Sequence, residues 1–413
     1  MLLCRASNHA EARRSPNRHC ERRCEHEAVE ASISLLTHTS PQEPMGASRK
    51  RPSGRQATII SKKSVARQIA SARKVRERGF LTSHWCKPQR VTDTEGHVIT
   101  MATRKKIGLI GAGNIGGELA RLFANKELGD VWLYDIPAKE NFAKGKALDL
   151  EQNGSVLGYD SNIRGTSNWA DLEGADVLVI TAGIPRKPGQ SRDDLVATNL
   201  PIIRDVATNA KKYCPNAFVI VISNPLDAMV YEYMRVTGCK KGMVAGMAGV
   251  LDSARFQLFL AREAGVSIKD VRAMVLGGHG DDMVPVLSMT TINGVPATSL
   301  IAKDKLNSII ERTRKGGGEI VNLMGTSAYY APASSAVAMA EAYLLDQKRL
   351  LPCATLLEGE FGYNDLFMGV PCIIGGNGVE KIVTIELTAE EQEMLKKSAA
   401  SVQSVVDVVK KTP

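Results

Sequence analysis

The chain has 413 residues, 44% hydrophobic and 23% charged. That allows two to three domains of ordinary globular composition, and no apolar run of about 18 residues predicts a transmembrane helix. The formal net charge of +9 sits entirely in residues 1–100, which hold 19 Lys/Arg against 9 Asp/Glu, while the rest holds 34 against 35. The body therefore has no overall attraction for phosphate backbones, and neither nucleic acid nor membrane is expected as its partner.

Residues 1–100 are rich in Arg, Ser and His, with basic clusters at Arg13-Arg14, Arg22-Arg23, Arg49-Lys50-Arg51 and Arg73–Arg78. Low hydrophobicity with high net charge predicts a disordered basic extension. Ser64–Arg78 could form a basic helix, since Val65, Ile69 and Val75 fall near helical spacing. Three origins compete: an upstream start preceding a true start at Met101, an organelle transit segment, or a nucleic-acid or membrane-surface tail. The five Glu among the first thirty residues are wrong for a transit segment. The stretch from Met45 suits one better, with Glu77 its only acid before Asp93. The localisation expected is cytoplasmic, or mitochondrial if the extension is a genuine transit segment. His19-Cys20 and Cys24-Glu-His26 supply half of a zinc site with no second pair nearby, which reads as chance; no metal is expected. Cys214, Cys239, Cys353 and Cys372 are irregularly spaced in the body and read as reduced thiols.

The body alternates in type. Lys106–Ile110 reads as a buried strand, Ile115–Asn125 as a helix and Val131–Tyr134 as a second strand. Asp176–Thr181 and Phe218–Ser223 are further strands, with Leu195–Lys212 a helix between them. Such alternation predicts a parallel sheet covered on both faces. Later helical patterns at Asp252–Ala264 and Lys305–Leu323, with Val271–Leu276 and Val383–Leu387 as strands, predict a mixed α+β second domain. The expected organisation is a Rossmann doubly wound α/β domain over residues 101–245 and a substrate and catalytic domain over 246–413.

Gly111-Ala112-Gly113-Asn114-Ile115-Gly116 closes the first strand and opens the first helix, the setting that makes a Gly-x-Gly-x-x-Gly match a dinucleotide fingerprint. Gly111 permits the tight turn, Gly113 lets backbone approach a pyrophosphate, and Gly116 lets the helix pack on the strand. The helix N-terminus offers N–H groups and a positive dipole end to the phosphates. Asp135 ends the second strand, placed to bind a ribose 2′-hydroxyl. An anion there repels a 2′-phosphate, and Ile136-Pro137 supplies no cation, so NAD is expected rather than NADP.

Six of the seven histidines precede residue 101, and the seventh is His279 in Gly277-Gly278-His279-Gly280-Asp281. A dinucleotide oxidoreductase acting on an alcohol needs a group that accepts the hydroxyl proton near neutral pH, and this imidazole is the candidate. No Tyr-x-x-x-Lys spacing offers an alternative. Arginines fall in two places. Arg186 and Arg192 lie in the loop Gly183-Ile-Pro185-Arg186-Lys187-Pro188-Gly189-Gln-Ser-Arg192, which can close over a site. Arg255 follows Asp252 by three residues, so the two share a helix face. Guanidinium groups bind carboxylates bidentately.

These motifs, together with Ser223-Asn224-Pro225-Leu-Asp227 and Gly246-Met-Ala-Gly249-Val-Leu-Asp252-Ser-Ala-Arg255, resemble the malate/lactate dehydrogenase family. Within it the body is most similar to the lactate-dehydrogenase-like branch of malate enzymes, from Met101 almost to the C-terminus. The resemblance implies reversible NAD-dependent oxidation of (S)-malate to oxaloacetate, the alternative being lactate or another 2-hydroxyacid. It implies His279 as proton acceptor oriented by Asp252, Arg255 as the clamp on the C1 carboxylate, and Arg192 as the group polarising the C2 carbonyl. Asn224 would bind substrate beside the nicotinamide, Asn199 would contact the cofactor, and backbone near Ile222 would support the nicotinamide. Arg186 would pair with the C4 carboxylate, a position commonly Gln in lactate enzymes. Gly325-Thr-Ser327-Ala-Tyr-Tyr-Ala-Pro332 resembles the far wall of the substrate pocket. The resemblance implies assembly as dimers or tetramers, the lactate-dehydrogenase-like branch favouring a homotetramer with a dimer possible.

Overall fold

The computed structural model describes residues 104–185 and 192–412, plus a two-residue antiparallel ladder between Val91–Thr92 and Val98–Ile99. Side chains of Arg192 and Asp193 are not described. The expected basic extension, its helix at Ser64–Arg78 and the half zinc site lie outside these residues, that ladder apart.

Six strands form the parallel part of the main sheet. They are β1 Lys106–Ile110, β2 Asp130–Tyr134, β3 Ile163–Thr166, β4 Val177–Ile180, β5 Phe218–Val221 and β6 Val244–Gly246. Their spatial order is β3-β2-β1-β4-β5-β6, all pairs parallel. The crossovers contain α1 Asn114–Asn125, α2 Glu140–Gln152, α3 Arg192–Tyr213 and α4 Leu226–Thr237. The period of two along each strand divides the core. Val177 and Val179 join the cluster under α1 and α2, while Leu178 and Ile180 join the one under α3 and α4. All four are buried, as strands apolar on both faces must be in a doubly wound sheet. The order reverses between β1 and β4, so the carboxyl ends of those strands open on the crevice where such sheets bind ligands. This is the expected Rossmann arrangement.

The sheet continues as three antiparallel strands: β7 Arg349–Glu358, β8 Asn364–Gly375 and β9 Gly378–Ile382. The junction is a single pairing of Ala354 with Gly246, where a Cβ on Gly246 would come 2.9 Å from that of Ala354. Against this half pack α5 Gly249–Ala264, a helix α6 Lys303–Met324 that lies on α5, α7 Tyr330–Leu344 and α8 Ala389–Lys411. A capping box of Thr388 and Glu391 starts α8, and Glu391 also accepts from the backbone and hydroxyl of Ser288.

Two expectations are corrected. Val271–Leu276 is not one strand but two short ones, Val271–Arg272 and Val275–Leu276, paired in different sheets. Val383–Leu387 is not a strand. Val383 still donates to the Pro371 carbonyl, but beyond it the chain runs extended without a ladder partner, and Ile385 and Leu387 pack on the cluster beside α8. Alternating burial in an extended segment mimics a strand's pattern without its hydrogen bonds. The hairpin β7–β8 was not expected, because Pro352 and Pro371 interrupt its apolar runs. The prolines stand directly opposite each other, at a pair that exchanges no ladder bonds, so their missing N–H groups remove no bond between β7 and β8.

Among the described residues no helix is long and apolar enough to cross a membrane. The four body cysteines are free thiols.

Candidate active site

Two features carry the candidate site. The first is the glycine turn after β1. Gly111 has φ +114°, a conformation that favours glycine, and a Cβ there would meet Thr181 Oγ1 at 2.5 Å. A Cβ on Gly116 would run into the Gly111 carbonyl, so α1 reaches the strand only because that Cβ is missing. Gly113 differs: a Cβ there would meet nothing within 4 Å, leaving room beside the backbone for a bound group. Gly113 is also the N-cap of α1. No side chain caps that terminus and no acid lies in its first turn, so the amides around Asn114 and Ile115 keep their capacity for an anion. Asp135, at the end of β2, accepts the Ala112 N–H at 3.0 Å and its neighbour Ile136 N–H at 2.9 Å. The carboxylate is thus held against the glycine turn. Uncapped amides, an open backbone and a fixed carboxylate fit a dinucleotide's pyrophosphate and adenosine ribose.

Lys146, which the sequence patterns did not single out, completes this turn. From α2 its ammonium donates to the carbonyls of Ala112 and Gly113, both at 2.8 Å. Burial pushes its pKa down, and the charge of Asp135 partly opposes that. Nothing local reveals the contact, because it joins residues more than thirty apart in the chain.

The second feature is a charged cluster built by the first two turns of α5 and the loop after Val275–Leu276. Helical spacing of three puts Asp252 and Arg255 on one face, with Arg255 Nη1 3.0 Å from Asp252 Oδ1. The other oxygen, Oδ2, lies 2.8 Å from His279 Nδ1. Asp252 is 2% exposed, so one buried carboxylate joins the imidazole to the guanidinium. A carboxylate carries no proton to donate; Nδ1 therefore holds the hydrogen and Nε2 remains free as acceptor. Burial acting alone would lower the His279 pKa, but the charge of Asp252 and its hydrogen bond outweigh it, and the net shift is upward despite an opposing contribution from Arg255.

Arg255 has a buried Nε with no hydrogen-bond partner among the described residues. Its stem crosses α6 over Gly316 and Gly317, where a Cβ on Gly316 would lie 3.2 Å from Arg255 Cδ. Glycine inside a helix costs about 1 kcal/mol relative to alanine. The run Gly316-Gly317-Gly318 in α6 is thus a legible signal of close approach that went unread.

Between these features lie the ends of β4 and β5. Asn199, 2% exposed on α3, accepts from the Ile184 N–H at 2.8 Å and donates to the carbonyls of Ile184 and Asn224 at 3.1 and 2.7 Å. Its amide ties the two loops together. Asn224 is exposed and precedes a cis bond to Pro225, while Ile222 is buried and donates to the Ile180 carbonyl. Arg186 lies outside the described residues, and of Arg192 only the backbone position at the start of α3 is described. Ser327 precedes α7.

A family model described as lactate/malate dehydrogenase, NAD binding domain, matches residues 105–246, and one described as the family's alpha/beta C-terminal domain matches 249–412. The chain is 77% identical over 310 residues to a malate dehydrogenase of Sorangium cellulosum, covering 75% of this chain and 99% of that protein. Among solved structures it is similar to malate dehydrogenase of Cryptosporidium parvum, with 48% identity and a TM-score of 0.73 over 75% of this chain and 100% of that one. It is also similar to that organism's lactate dehydrogenase complexed with lactic acid and nicotinamide adenine dinucleotide, with 44% identity and a TM-score of 0.73 over 76% and 100%.

Proposed function

The chain belongs to the lactate/malate dehydrogenase family and is an NAD-dependent oxidoreductase, and from that premise we propose that it interconverts (S)-malate and oxaloacetate. The observation that carries the reading is the Asp252 carboxylate joined at once to His279 and Arg255. Among the described residues the guanidinium keeps an unpartnered Nε donor, and the bond of Nδ1 to Asp252 leaves Nε2 as the imidazole's acceptor.

In this reading residues 101–245 hold the cofactor and 246–413 the chemistry. Gly111, Gly113, Asn114, Ile115 and Gly116 receive the pyrophosphate and Asp135 the ribose, with Asn199, Ile222 and Asn224 lining the nicotinamide end. Bound NAD supplies the hydride acceptor for malate C2. His279 Nε2 takes the hydroxyl proton, and Asp252 stabilises the imidazolium that results. Arg255 grips the C1 carboxylate, Arg192 polarises the carbonyl oxygen, and Asn224 donates to the substrate. Arg186 pairs with the distal carboxylate, which selects a dicarboxylate over pyruvate. Lactate oxidation is the second reading, supported by the same TM-score of 0.73 to a lactate dehydrogenase, though at 44% identity against 48% for the malate enzyme. We assign the protein to the cytoplasm, in keeping with its free thiols, and to a homotetramer, with a dimer as the alternative.

The test is direct. The purified protein should oxidise NADH, followed by absorbance, with oxaloacetate and far more slowly with pyruvate. No oxaloacetate-dependent turnover, or a preference for pyruvate, removes the proposal. A further expectation concerns the glycine turn. Lys146→Met deletes two charge-assisted bonds that hold it, so KM for NADH should rise about tenfold, or about 1.4 kcal/mol, with kcat nearly unchanged. An equal fall in kcat would instead place Lys146 in the chemical step.

A further inference from the structure

The loop that carries His279 is clamped by two side chains from helices outside the Asp252–Arg255 cluster. Ser398 of α8, fully buried, accepts the Gly278 N–H at 2.9 Å. Asp227 of α4, 8% exposed, accepts the His279 N–H through Oδ2 at 3.0 Å. The packing is close: a Cβ on Gly278 would strike Val402 and lie 3.3 Å from that same Asp227 oxygen. The other oxygen of Asp227 is buried without a partner among the described residues. Asp227 and His279 both line one cavity with Ser398, Ser401 and Val402.

A buried acid half satisfied by one backbone amide is a costly means of holding a loop. An Asn would accept that amide without a charge, and burial of an incompletely paired carboxylate is unfavourable. What only the acid adds is negative charge beside the imidazole. We propose that Asp227 is a positioning residue for His279, fixing the loop backbone and placing a second carboxylate, from a different helix, beside the proton acceptor. The inference rests on the reading of His279 as that acceptor.

The electrostatics agree with the geometry. Burial pushes Asp227 up to about 6, opposed by the His279 amide and the His279 charge. Reciprocally, Asp227 raises His279 alongside the larger effect of Asp252. Arg255 on α5 lowers His279; Asp281 and Asp282 follow in its own loop, with Asp282 lining the same cavity and paired to Lys397 of α8 at 3.0 Å.

The experiment follows His279 itself. In the full-length protein with 13C-labelled histidine, the His279 resonance is the one lost in His279→Asn, and its titration is read without reference to turnover. In Asp227→Asn the midpoint should fall by about half a pH unit or more. The alkaline limb of kcat/KM for oxaloacetate reduction should move down with it. An unmoved midpoint overturns the proposal, whatever happens to activity. Stability separates a tuning charge from a structural one. Because the folded state raises the Asp227 pKa, it binds that proton more tightly than the unfolded chain. Stability therefore falls as pH rises from the unfolded value through about 6. At pH 8 Asp227→Asn should then melt no lower than the parent, and a marked drop would indicate a purely structural residue. If the variant does not fold, the parent decides: its His279 resonance should carry a second inflection near pH 6 from Asp227, and a single inflection sinks the idea. Full turnover in His279→Asn would remove the underlying reading of the base while leaving the titration result standing.

Discussion

His279→Asn should lower kcat for oxaloacetate reduction and malate oxidation by about 10²- to 10⁴-fold, the range that a positioned general acid–base contributes. The fold should survive, because the Asn amide can still donate to Asp252 Oδ2, and Asp252 keeps its ion pair with Arg255. Binding of NADH, read by fluorescence titration, should be nearly unchanged, since the glycine turn and Asp135 are separate from this loop. The pH behaviour supplies a second check. With the His279 pKa raised above its ordinary value, the imidazolium persists further into the alkaline range. Reduction, which needs the proton, should decline only as pH rises through that raised value, and oxidation, which needs the free base, should climb over the same window. Both limbs should vanish in His279→Asn. Turnover within tenfold of the parent, with the limbs intact, would mean that another group moves the proton.

Arg186→Gln should cut kcat/KM for oxaloacetate by about 10²- to 10³-fold and raise that for pyruvate by about tenfold, moving the preference by several powers of ten. The argument is chemical. A guanidinium in a closed site is favourable opposite a second carboxylate and costly opposite the methyl of pyruvate, whereas a neutral amide removes both the attraction and the penalty. Negative selection against pyruvate is thus as much a part of the effect as attraction to oxaloacetate. Comparison of the two substrates under identical cofactor saturation measures the ratio; an unchanged ratio would assign the choice of substrate to another residue.

The sheet was legible where local pattern and tertiary environment agree. Val177–Ile180 and Phe218–Val221 are apolar at every position because both faces are covered, and the glycine turn announces itself through spacing. His279 stood out as the body's one imidazole, and the spacing of Asp252 and Arg255 placed them on one helix face. What stayed hidden depends on pairing across the chain. β7 and β8 contain prolines that cost the hairpin no bond because they face each other. Val383–Leu387 carries a strand's alternation but makes a single ladder-type bond, from Val383 to the Pro371 carbonyl, and none beyond it. Lys146 and Asp227 act on backbone groups 33 and 52 positions away, and a Lys or an Asp in a helix has no local mark of such a partner.

The shared carboxylate of Asp252 has a consequence for anyone redesigning this enzyme. Under the proposed roles of Arg255 and His279, affinity for the substrate's first carboxylate and basicity of the proton acceptor are not independent dials, because both side chains share the one buried anion of Asp252. A replacement at position 255 chosen to widen substrate scope would also retune the imidazole. Effects of paired changes at 255 and 279 would not add, and directed evolution toward new acids should find its compensating mutations around Asp252 before it finds them in the pocket wall.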